Sequence, residues 1–370
     1  MSNLVGIDAS RYLADQRTGT ENYSYQLLNA LALADHPNLH FRLYLNSKNS
    51  TEAPVLRQVE TRAIPFPRFW THARLSAEML THRPELLFVP SHVIPLIHPR
   101  SVVTIHDLGY LHEPDAHPAR QRLMLDRTAR WNARVASKII AISNTTRNDL
   151  VRHYGVADEK ITVLPHGVGA QFQPVTSGTV SAIRARLGLP DQFVLAVGTI
   201  HPRKNLGNLA KAVRLLRDEG RPIALVTAGK HGWLADQVER EILAALPETA
   251  WRHLGYVPDA DLPALYGAAD AVLMVSRYEG FGLPVLEAMA SGAPVVISDR
   301  GALPEVAGGC ALIAECDDPP SIARQIARLI DDAELRNSII QRGIVHASTF
   351  TWERAAQSTI DVLREALPRN

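Results

Sequence analysis

The chain is predicted to be an α/β protein made of two doubly wound, parallel-sheet domains. Short apolar runs rich in β-branched residues alternate with helical patterns along almost all of its 370 residues. A chain of this length exceeds one ordinary hydrophobic core, so two domains are expected. A stretch rich in Gly, Ser, Pro and Gln between residues 165 and 190 separates two similar halves. We therefore predict an N-terminal domain over residues 1–174 and a C-terminal domain over residues 175–370.

The individual elements follow from short apolar runs, which are typical of buried parallel strands. The predicted strands of the first half are 4–8, 41–45, 86–90, 102–105, 138–143 and 161–164. Those of the second half are 193–197, 223–228, 253–257, 271–275, 294–298 and 311–314. A short helix is expected near 180–187, and the last helix, about 352–367, follows Thr351 as its N-cap. That last helix could pack on either domain, including back on the N-terminal one.

Glu279 and Glu287 bracket a glycine-containing turn that is predicted to open a helix. A nearly all-apolar run at 271–275 precedes the turn, and Pro284 suits the first helical position. Amides at a helix start carry a positive partial charge and bind anions, and carboxylates add acceptors for hydroxyl groups. This combination indicates a phosphorylated sugar as the ligand.

Arg203 and Lys204 lie between a predicted strand and Asn205, the predicted N-cap of the following helix. An isolated basic pair is usually a solvated surface feature. At a helix start, however, arginine can bind two phosphate oxygens in a forked geometry and lysine adds a point charge. The pattern therefore predicts a clamp for a diphosphate.

These segments, together with residues 301–306, resemble the retaining glycosyltransferases of family 4 (glycosyltransferase group 1), which have the GT-B fold. The resemblance covers nearly the full chain and is dense from residue 195 to 310. It implies two Rossmann-like domains facing a central cleft. It also implies a nucleotide-sugar donor held mainly by the second domain and an acceptor bound mainly by the first.

On this resemblance, the predicted catalytic residues are His106 and Glu279. Glu279 would lie beside the transferred sugar, and Glu287 would bind the donor ribose from the first turn of its helix. His106 would position donor sugar and acceptor, with Asp107 either orienting it or capping a local turn. A role of His106 as base stays open, because the departing phosphate can itself deprotonate the acceptor. The other predicted donor-binding residues are Gly19, Thr199, Arg203, Lys204, Tyr256, Val257, Gly280, Phe281, Gly282 and Leu283.

Other interpretations of the polar residues are weaker. Asp259 and Asp261 match a metal-binding acidic pair superficially, but they precede an apolar helix start, so helix capping is expected. No metal or other cofactor is expected. A glycosidase-type pair needs carboxyl groups roughly 5–10 Å apart around a glycosidic bond, and a diphosphate clamp would then have no purpose. His166 is predicted to be a residue of the interdomain linker.

Composition and charge limit the setting and the partners. The net charge of +1 offers no general case for nucleic acid, and no apolar run approaches the ~20 residues that span a membrane. The start of the chain lacks a signal-peptide pattern. The two cysteines, Cys310 and Cys316, resemble neither a metal site nor a disulfide framework. A cytoplasmic location is therefore expected, with the oligomeric state left open.

Residues 64–80 combine aromatic and basic side chains. The segment could lie on an anionic membrane, at the inner face of which a lipid-linked acceptor would reside. A surface helix packed by its apolar face is the plainer alternative.

The sequence thus predicts a metal-independent, retaining hexosyltransferase that uses a nucleoside-diphosphate sugar and a hydroxyl acceptor on a glycan or lipid carrier. The pattern around His106 and Arg203 most resembles mannosyl- and rhamnosyltransferases of polysaccharide assembly, so GDP-mannose is the first donor to consider. A nucleotide-sugar epimerase on the same scaffold and a non-catalytic nucleotide-sugar-binding subunit are the alternatives.

Overall fold

The computed structural model describes residues 3–14, 17, 19–47, 59–91 and 93–368. Two parallel β-sheets organise this part of the chain, one of seven strands and one of six. The strands of the first sheet are β1 (Asn3–Asp8), β2 (Leu39–Leu45), β3 (Val59–Ala63), β4 (Leu86–Val89), β5 (Arg100–Ile105), β6 (Lys138–Ala141) and β7 (Ile161–Val163). Those of the second are β8 (Phe193–Val197), β9 (Ala224–Ala228), β10 (Trp251–His253), β11 (Ala271–Met274), β12 (Val295–Ser298) and β13 (Leu312–Ala314).

Helices lie in most of the described connections between the strands, as is usual for crossovers between parallel strands. They are α1 (Gly19–Leu33), α2 (Ser76–Thr81), α3 (Gly109–His112), α4 (Ala119–Val135), α5 (Asn144–Tyr154), α6 (Ser177–Leu187), α7 (Leu206–Asp218), α8 (Ala235–Ala245), α9 (Leu262–Ala268), α10 (Leu283–Ala290), α11 (Leu303–Ala307), α12 (Pro319–Asp331), α13 (Ala333–Ala347) and α14 (Trp352–Ala366). Among the helices in the described ranges, none is both long and apolar enough to cross a membrane.

The chain divides into two compact units, each built on one sheet. The first comprises Met1–Leu108, Arg120–Gly167 and Phe350–Asn370, and the second comprises Gly109–Ala119 and Val168–Thr349. The first unit therefore ends its main segment at Gly167, before the predicted boundary at 174/175, and it includes the terminal helix α14. A short piece of the first half of the chain belongs to the second unit.

The first sheet has the strand order β3-β2-β1-β4-β5-β6-β7. The strands after β3 are therefore added on the other side of β1, so the strand order reverses between β1 and β4. These two strands pair in parallel, Val5 opposite Leu86. The core contains Leu27 and Leu31 of α1 together with Ile360 and Leu363 of α14. Burial of such side chains contributes about 1.5–3 kcal/mol each, which explains why the last helix is seated on this unit.

The second sheet has the order β10-β9-β8-β11-β12-β13, so its reversal lies between β8 and β11. These two strands pair in parallel, Ala271 opposite Val194. Helix α7 buries Leu209, Val213 and Leu216 against the sheet, the face that the helical periodicity predicts. Ligands of open α/β sheets bind outside the carboxyl ends of strands at such a reversal.

The predicted parallel α/β architecture is confirmed, and the predicted strands differ from the observed ones mainly at their ends. Strand β3 was not predicted, because Val59–Ala63 is polar and only half-buried at the edge of the sheet. The predicted strand at 253–257 is wrong for most of its length. The observed β10 is Trp251–His253, since its last ladder bond is Leu254 N–H to Thr227 O and Gly255 then turns the chain with φ +66°.

Two other local predictions have clear outcomes. Thr351 caps α14 as predicted, accepting a hydrogen bond from the backbone N–H of Arg354. His166 was predicted to be a linker residue, and it lies directly before the boundary between the units at Gly167/Val168; it is only 4% exposed and packs among aromatic rings of the first unit.

Candidate functional site

The reversal point of the second sheet carries the residues that the sequence singles out. After β8 the chain passes through Gly198 and Thr199 into a single 3-10 turn, Pro202–Lys204. After β11 it passes through a loop that contains Glu279 and enters α10. Because β8 and β11 are adjacent and parallel, both loops leave the same edge of the sheet.

Arg203, Lys204 and Glu279 form one ion cluster at this edge, in which Glu279 is buried and the two cations are partly buried. Lys204 Nζ lies 2.7 Å from Glu279 Oε1, and Arg203 Nη1 lies 3.1 Å from Glu279 Oε2. Arg203 Nη1 also donates to the backbone oxygen of Tyr278 at 2.6 Å. The side chain of Glu279 is 9% exposed, and those of Arg203 and Lys204 are 19% and 17% exposed. The predicted clamp and the predicted sugar-side carboxylate therefore contact each other directly.

The charges around Glu279 determine its protonation. Burial by itself would raise the pKa of its carboxyl group, but Arg203 and Lys204 outweigh burial and lower that pKa to about 2. Glu279 is therefore an anion throughout the neutral pH range. A buried anion held by two cations can accept hydrogen bonds from sugar hydroxyls and can stabilise developing positive charge.

Gly301 supports the backbone of Glu279. A Cβ at this position would lie 2.6 Å from the carbonyl oxygen of Glu279 and 2.7 Å from its nitrogen, and the residue has φ +59°. The next residue, Ala302, donates its N–H to that same carbonyl at 2.9 Å. Glycine is required here because only a residue without a side chain permits this approach. The segment 301–306 thus holds the Glu279 loop in place.

Asn205 connects the two loops in a way that the sequence did not predict. It precedes α7, but its side chain makes no capping bond. Instead its Nδ2 donates to the carbonyl oxygens of Val275, at 3.1 Å, and Cys316, at 2.7 Å. The residue is 3% exposed and has φ +59°. Asn205 therefore fixes the Pro202–Lys204 turn to the end of β11, and the capping interpretation is wrong.

Glu287 has a different environment from Glu279. It lies in the second turn of α10, one turn later than predicted, and Pro284 is the second helical residue. Its Oε2 accepts a 2.9 Å hydrogen bond from the hydroxyl of Tyr266 in α9, and both side chains are buried. Burial raises the pKa of Glu287 to about 7, with Asp259 adding to the effect and the Tyr266 hydrogen bond opposing it. Near neutral pH Glu279 is thus ionised, whereas Glu287 is only partly ionised.

Tyr266 was not predicted as part of the site, although a signal was present. It is the single polar side chain in the buried helix Leu262–Ala268, and a buried tyrosine hydroxyl usually needs a partner. The predicted capping by Asp261 is wrong. Asp261 makes no capping bond to α9 and pairs with Arg186 at 2.5 Å.

The other residues of the second unit that were predicted to bind the donor lie in the segments that follow β8, β10 and β11. Thr199 follows β8, and Tyr256 and Val257 follow β10, with Tyr256 37% exposed and Val257 buried. Lys230 lies 5.4 Å from the centre of the Tyr256 ring. The N-terminal turn of α10 and its approach supply the others, Gly280, Phe281, Gly282 and Leu283, with φ +104° at Gly282. Their predicted contacts with a donor stay predictions.

Gly19 and His106 belong to the first unit. Gly19 is the first residue of α1 and is exposed, and a Cβ there would meet nothing within 4 Å. Within its own unit the position therefore does not require glycine. His106 directly follows β5, and its Nε2 lies 2.9 Å from the carbonyl oxygen of Pro90, which follows β4. It thus lies at the carboxyl edge of the first sheet, next to the β1–β4 reversal.

Comparison with known proteins assigns the chain. Residues 181–346 match the family model described as glycosyl transferases group 1, and residues 17–172 match that of glycosyltransferase family 4. O-antigen chain mannosyltransferase B of Escherichia coli is 32% identical over 277 residues, which are 74% of this chain and 73% of that relative. The chain belongs to the family 4 glycosyltransferases.

Solved structures agree on the fold of this glycosyltransferase. Sucrose-phosphate synthase from Thermosynechococcus elongatus superimposes with a TM-score of 0.76 at 21% identity, covering 99% of both chains. HepE of Anabaena, in a complex with UDP-glucose, superimposes with a TM-score of 0.75 at 19% identity, covering 98% of this chain and 99% of that one. The fold is GT-B. The protein is a hexosyltransferase that takes its sugar from a nucleotide sugar.

The unusual protonation of Glu287 makes a prediction for stability. Because the folded pKa lies near 7 and the ordinary value is 4.5, the folded state holds a proton that the unfolded chain has released. Stability should therefore fall as the pH rises from about 4.5 to 7, by up to about 3 kcal/mol from this group. Urea unfolding of the wild type and Glu287→Gln at several pH values isolates the effect.

The difference in unfolding free energy between the two proteins should change with pH in that window. Glu305→Gln, at an exposed glutamate of the same unit, is the matched control and should follow the wild type at every pH. Parallel pH profiles of the wild type and Glu287→Gln would contradict the protonation assigned here.

Proposed function

We propose that this glycosyltransferase transfers mannose from GDP-mannose to a hydroxyl group of a glycan or lipid-linked acceptor, with retention of anomeric configuration. The observation that carries the chemical part is the buried cluster of Arg203, Lys204 and Glu279 at the β8–β11 reversal. The name of the O-antigen relative, a mannosyltransferase, favours mannose.

The cluster suits a sugar diphosphate because it presents both signs of charge at one place. Arg203 and Lys204 would share their positive charge with the phosphates, helped by the amides at the start of α10. Glu279 would then face the transferred sugar, accepting from its hydroxyl groups. Glu287 and Tyr266 would hold the ribose hydroxyls, for which a carboxyl group that donates or accepts near neutral pH is well suited.

In the proposed reaction, the bond between the anomeric carbon and the departing phosphate oxygen breaks while the acceptor oxygen bonds to the same face. The acceptor proton passes to the departing phosphate, so that the products are the glycoside and GDP. Glu279, held as an anion, would stabilise the positive charge that develops on the sugar ring. The cations Arg203 and Lys204 would neutralise the departing diphosphate, so no metal ion is required in this proposal.

The acceptor proposal has a structural counterpart on the surface of the first unit. Phe69 is 78% exposed and Phe66 is 41% exposed, with Arg68 between them in sequence. Leu75 and Met79 of the same segment are buried, so its helical part packs against the protein by its apolar face, as expected for an ordinary surface helix. We propose that only the loop of residues 66–69, called here the aromatic loop, touches the inner face of the membrane, where a lipid-linked acceptor would reside.

Lys204 provides the direct test of the diphosphate clamp. Lys204→Met should weaken GDP binding by roughly 30-fold or more, since truncating one partner of a buried charge pair costs about 2–5 kcal/mol. Titration calorimetry measures the affinity. Lys211→Met is the control. Lys211 lies on the same unit and donates to Asn208 Oδ1, so this variant should bind GDP with the affinity of the wild type. Equal affinities of the two variants would refute the clamp.

The donor and the stereochemistry can be tested together. A thermal-shift comparison of GDP, UDP, ADP and dTDP sugars should give the largest stabilisation with GDP-mannose, because binding to the folded state raises its stability. Incubation of GDP-mannose with a glycan acceptor should release GDP and yield an α-mannoside by NMR, with or without chelator. A β-mannoside, a larger shift with another nucleotide, or activity that needs added manganese would each contradict the corresponding part.

Membrane contact is checked by co-sedimentation with vesicles that contain anionic phospholipid. Phe69→Ser should reduce the bound fraction severalfold, because an inserted aromatic ring contributes about 1.5–3 kcal/mol of apolar burial. Leu33→Ser, at an exposed leucine of the same unit that is 87% exposed and lies outside the loop, is the control. If neither variant loses binding, or if both lose it equally, the proposed membrane contact of the aromatic loop is wrong.

A further inference from the structure

His106 lies within a cluster of four rings drawn from distant parts of the first unit. Tyr23 comes from α1, His166 follows β7, and Trp352 is the first residue of α14. The centre of the His106 ring is 4.8 Å from that of Tyr23 at an interplanar angle of 84°, and 5.7 Å from that of His166 at 70°. Edge-to-face contacts of this kind restrict how the imidazole ring can rotate.

The hydrogen bonds of His106 define its tautomer. Nε2 lies 2.9 Å from the carbonyl oxygen of Pro90, and because a carbonyl has no proton to donate, Nε2 must carry the proton. Burial lowers the pKa of His106, so the neutral ring is favoured. The lone pair is therefore on Nδ1. Thr146 Oγ1 also donates to the backbone oxygen of His106 at 3.3 Å, which fixes the main chain.

Tyr23 connects this ring to the rest of the unit. It is 3% exposed, and its hydroxyl lies 3.1 Å from Thr104 Oγ1, on the strand that leads to His106. Its ring contacts His166 at 4.6 Å and Trp352 at 5.9 Å between centres. Tyr23 thus contacts the strand before His106, the imidazole itself and the other two rings.

Trp352 closes the cluster from the end of the chain. It is 6% exposed, and its ring stacks on that of His166 at 5.9 Å and 29°. A Cβ at Gly167 would lie 2.3 Å from the backbone nitrogen of Trp352, so the glycine allows the start of α14 to approach the end of the main segment of the first unit. The Thr351 cap holds the first turn of α14 at this place.

We infer that Tyr23 and Trp352 are positioning residues that keep the imidazole of His106 in the Nε2–H tautomer, leaving Nδ1 to accept a hydrogen bond from a substrate hydroxyl. The terminal helix thereby completes the site of the unit that begins the chain. This inference rests on the proposed function and on the role that the resemblance implies for His106, which is to position the donor sugar and the acceptor. The simpler alternative is that the rings only contribute core packing, as other aromatic residues of the same core do.

The tautomer can be measured directly by NMR of protein with ¹⁵N-labelled histidine, His106 being assigned with His106→Asn. Wild type should show the Nε2–H form alone. Tyr23→Leu and Trp352→Leu should show a mixture of both forms and about tenfold lower kcat, with donor KM changed less than about twofold. Tyr23→Phe and Trp352→Phe retain a ring and should restore the single tautomer and turnover within about threefold of the wild type.

Phe41→Leu is the matched control, because Phe41 is an aromatic residue of the same core, is 1% exposed, and has its ring contact with His36. It should lose stability without changing the His106 signals or kcat. An unchanged tautomer in both leucine variants, or an equal loss of kcat in Phe41→Leu, would overturn the positioning role. A mixed tautomer with unchanged kcat would instead overturn the role of His106 in the reaction, while donor binding at Lys204 would be unaffected.

Discussion

The contact of Glu279 with Arg203 and Lys204 organises the loops at the strand reversal of the second sheet. It joins two loops whose residues are 75 or 76 positions apart in the chain but leave adjacent parallel strands. A buried ion cluster of this kind adds little net stability, since desolvation offsets most of the attraction. In the proposed function its value would be geometric, because charges that are held in place before a ligand arrives need little reorganisation when a reaction occurs. Gly301 and Asn205 extend the same constraint to the backbone on both sides.

Glu279 and Glu287 have different pKa values because their neighbouring side chains differ. Glu279 has two cations beside it and a pKa of about 2, whereas Glu287 has a tyrosine hydroxyl and a pKa of about 7. Their burial is similar, since the whole residues are 7% and 8% exposed, so burial cannot explain the difference. The charge of the partner decides it. Environments that separate the pKa values of paired carboxyl groups are a common way for one site to assign them different functions.

The strands were largely predictable because a strand buried on both faces must be apolar throughout, and this leaves a clear pattern in the sequence. The edge strand Val59–Ala63 lacks that pattern, since one side meets solvent. The loop residues Arg203, Lys204 and Glu279 were predictable as a group because their types and their places after strands suit a sugar diphosphate. Tyr266 and the structural role of Asn205 were not, because each depends on a partner 21 or more residues away.

The sequence by itself determined the fold class, the two similar halves, the N-cap of the last helix and the residue types of the loops after β8 and β11. These features depend on periodicity and on turn chemistry within a few residues, which any folded form of the chain must satisfy. Only the tertiary structure decided that Arg203 and Lys204 contact Glu279, that Glu287 shares a buried hydrogen bond with Tyr266, and that α14 belongs to the first unit. It also placed His166, next to the boundary between the units, inside a ring cluster. Such choices depend on which apolar faces and buried charges must be satisfied together, and that depends on how distant segments pack.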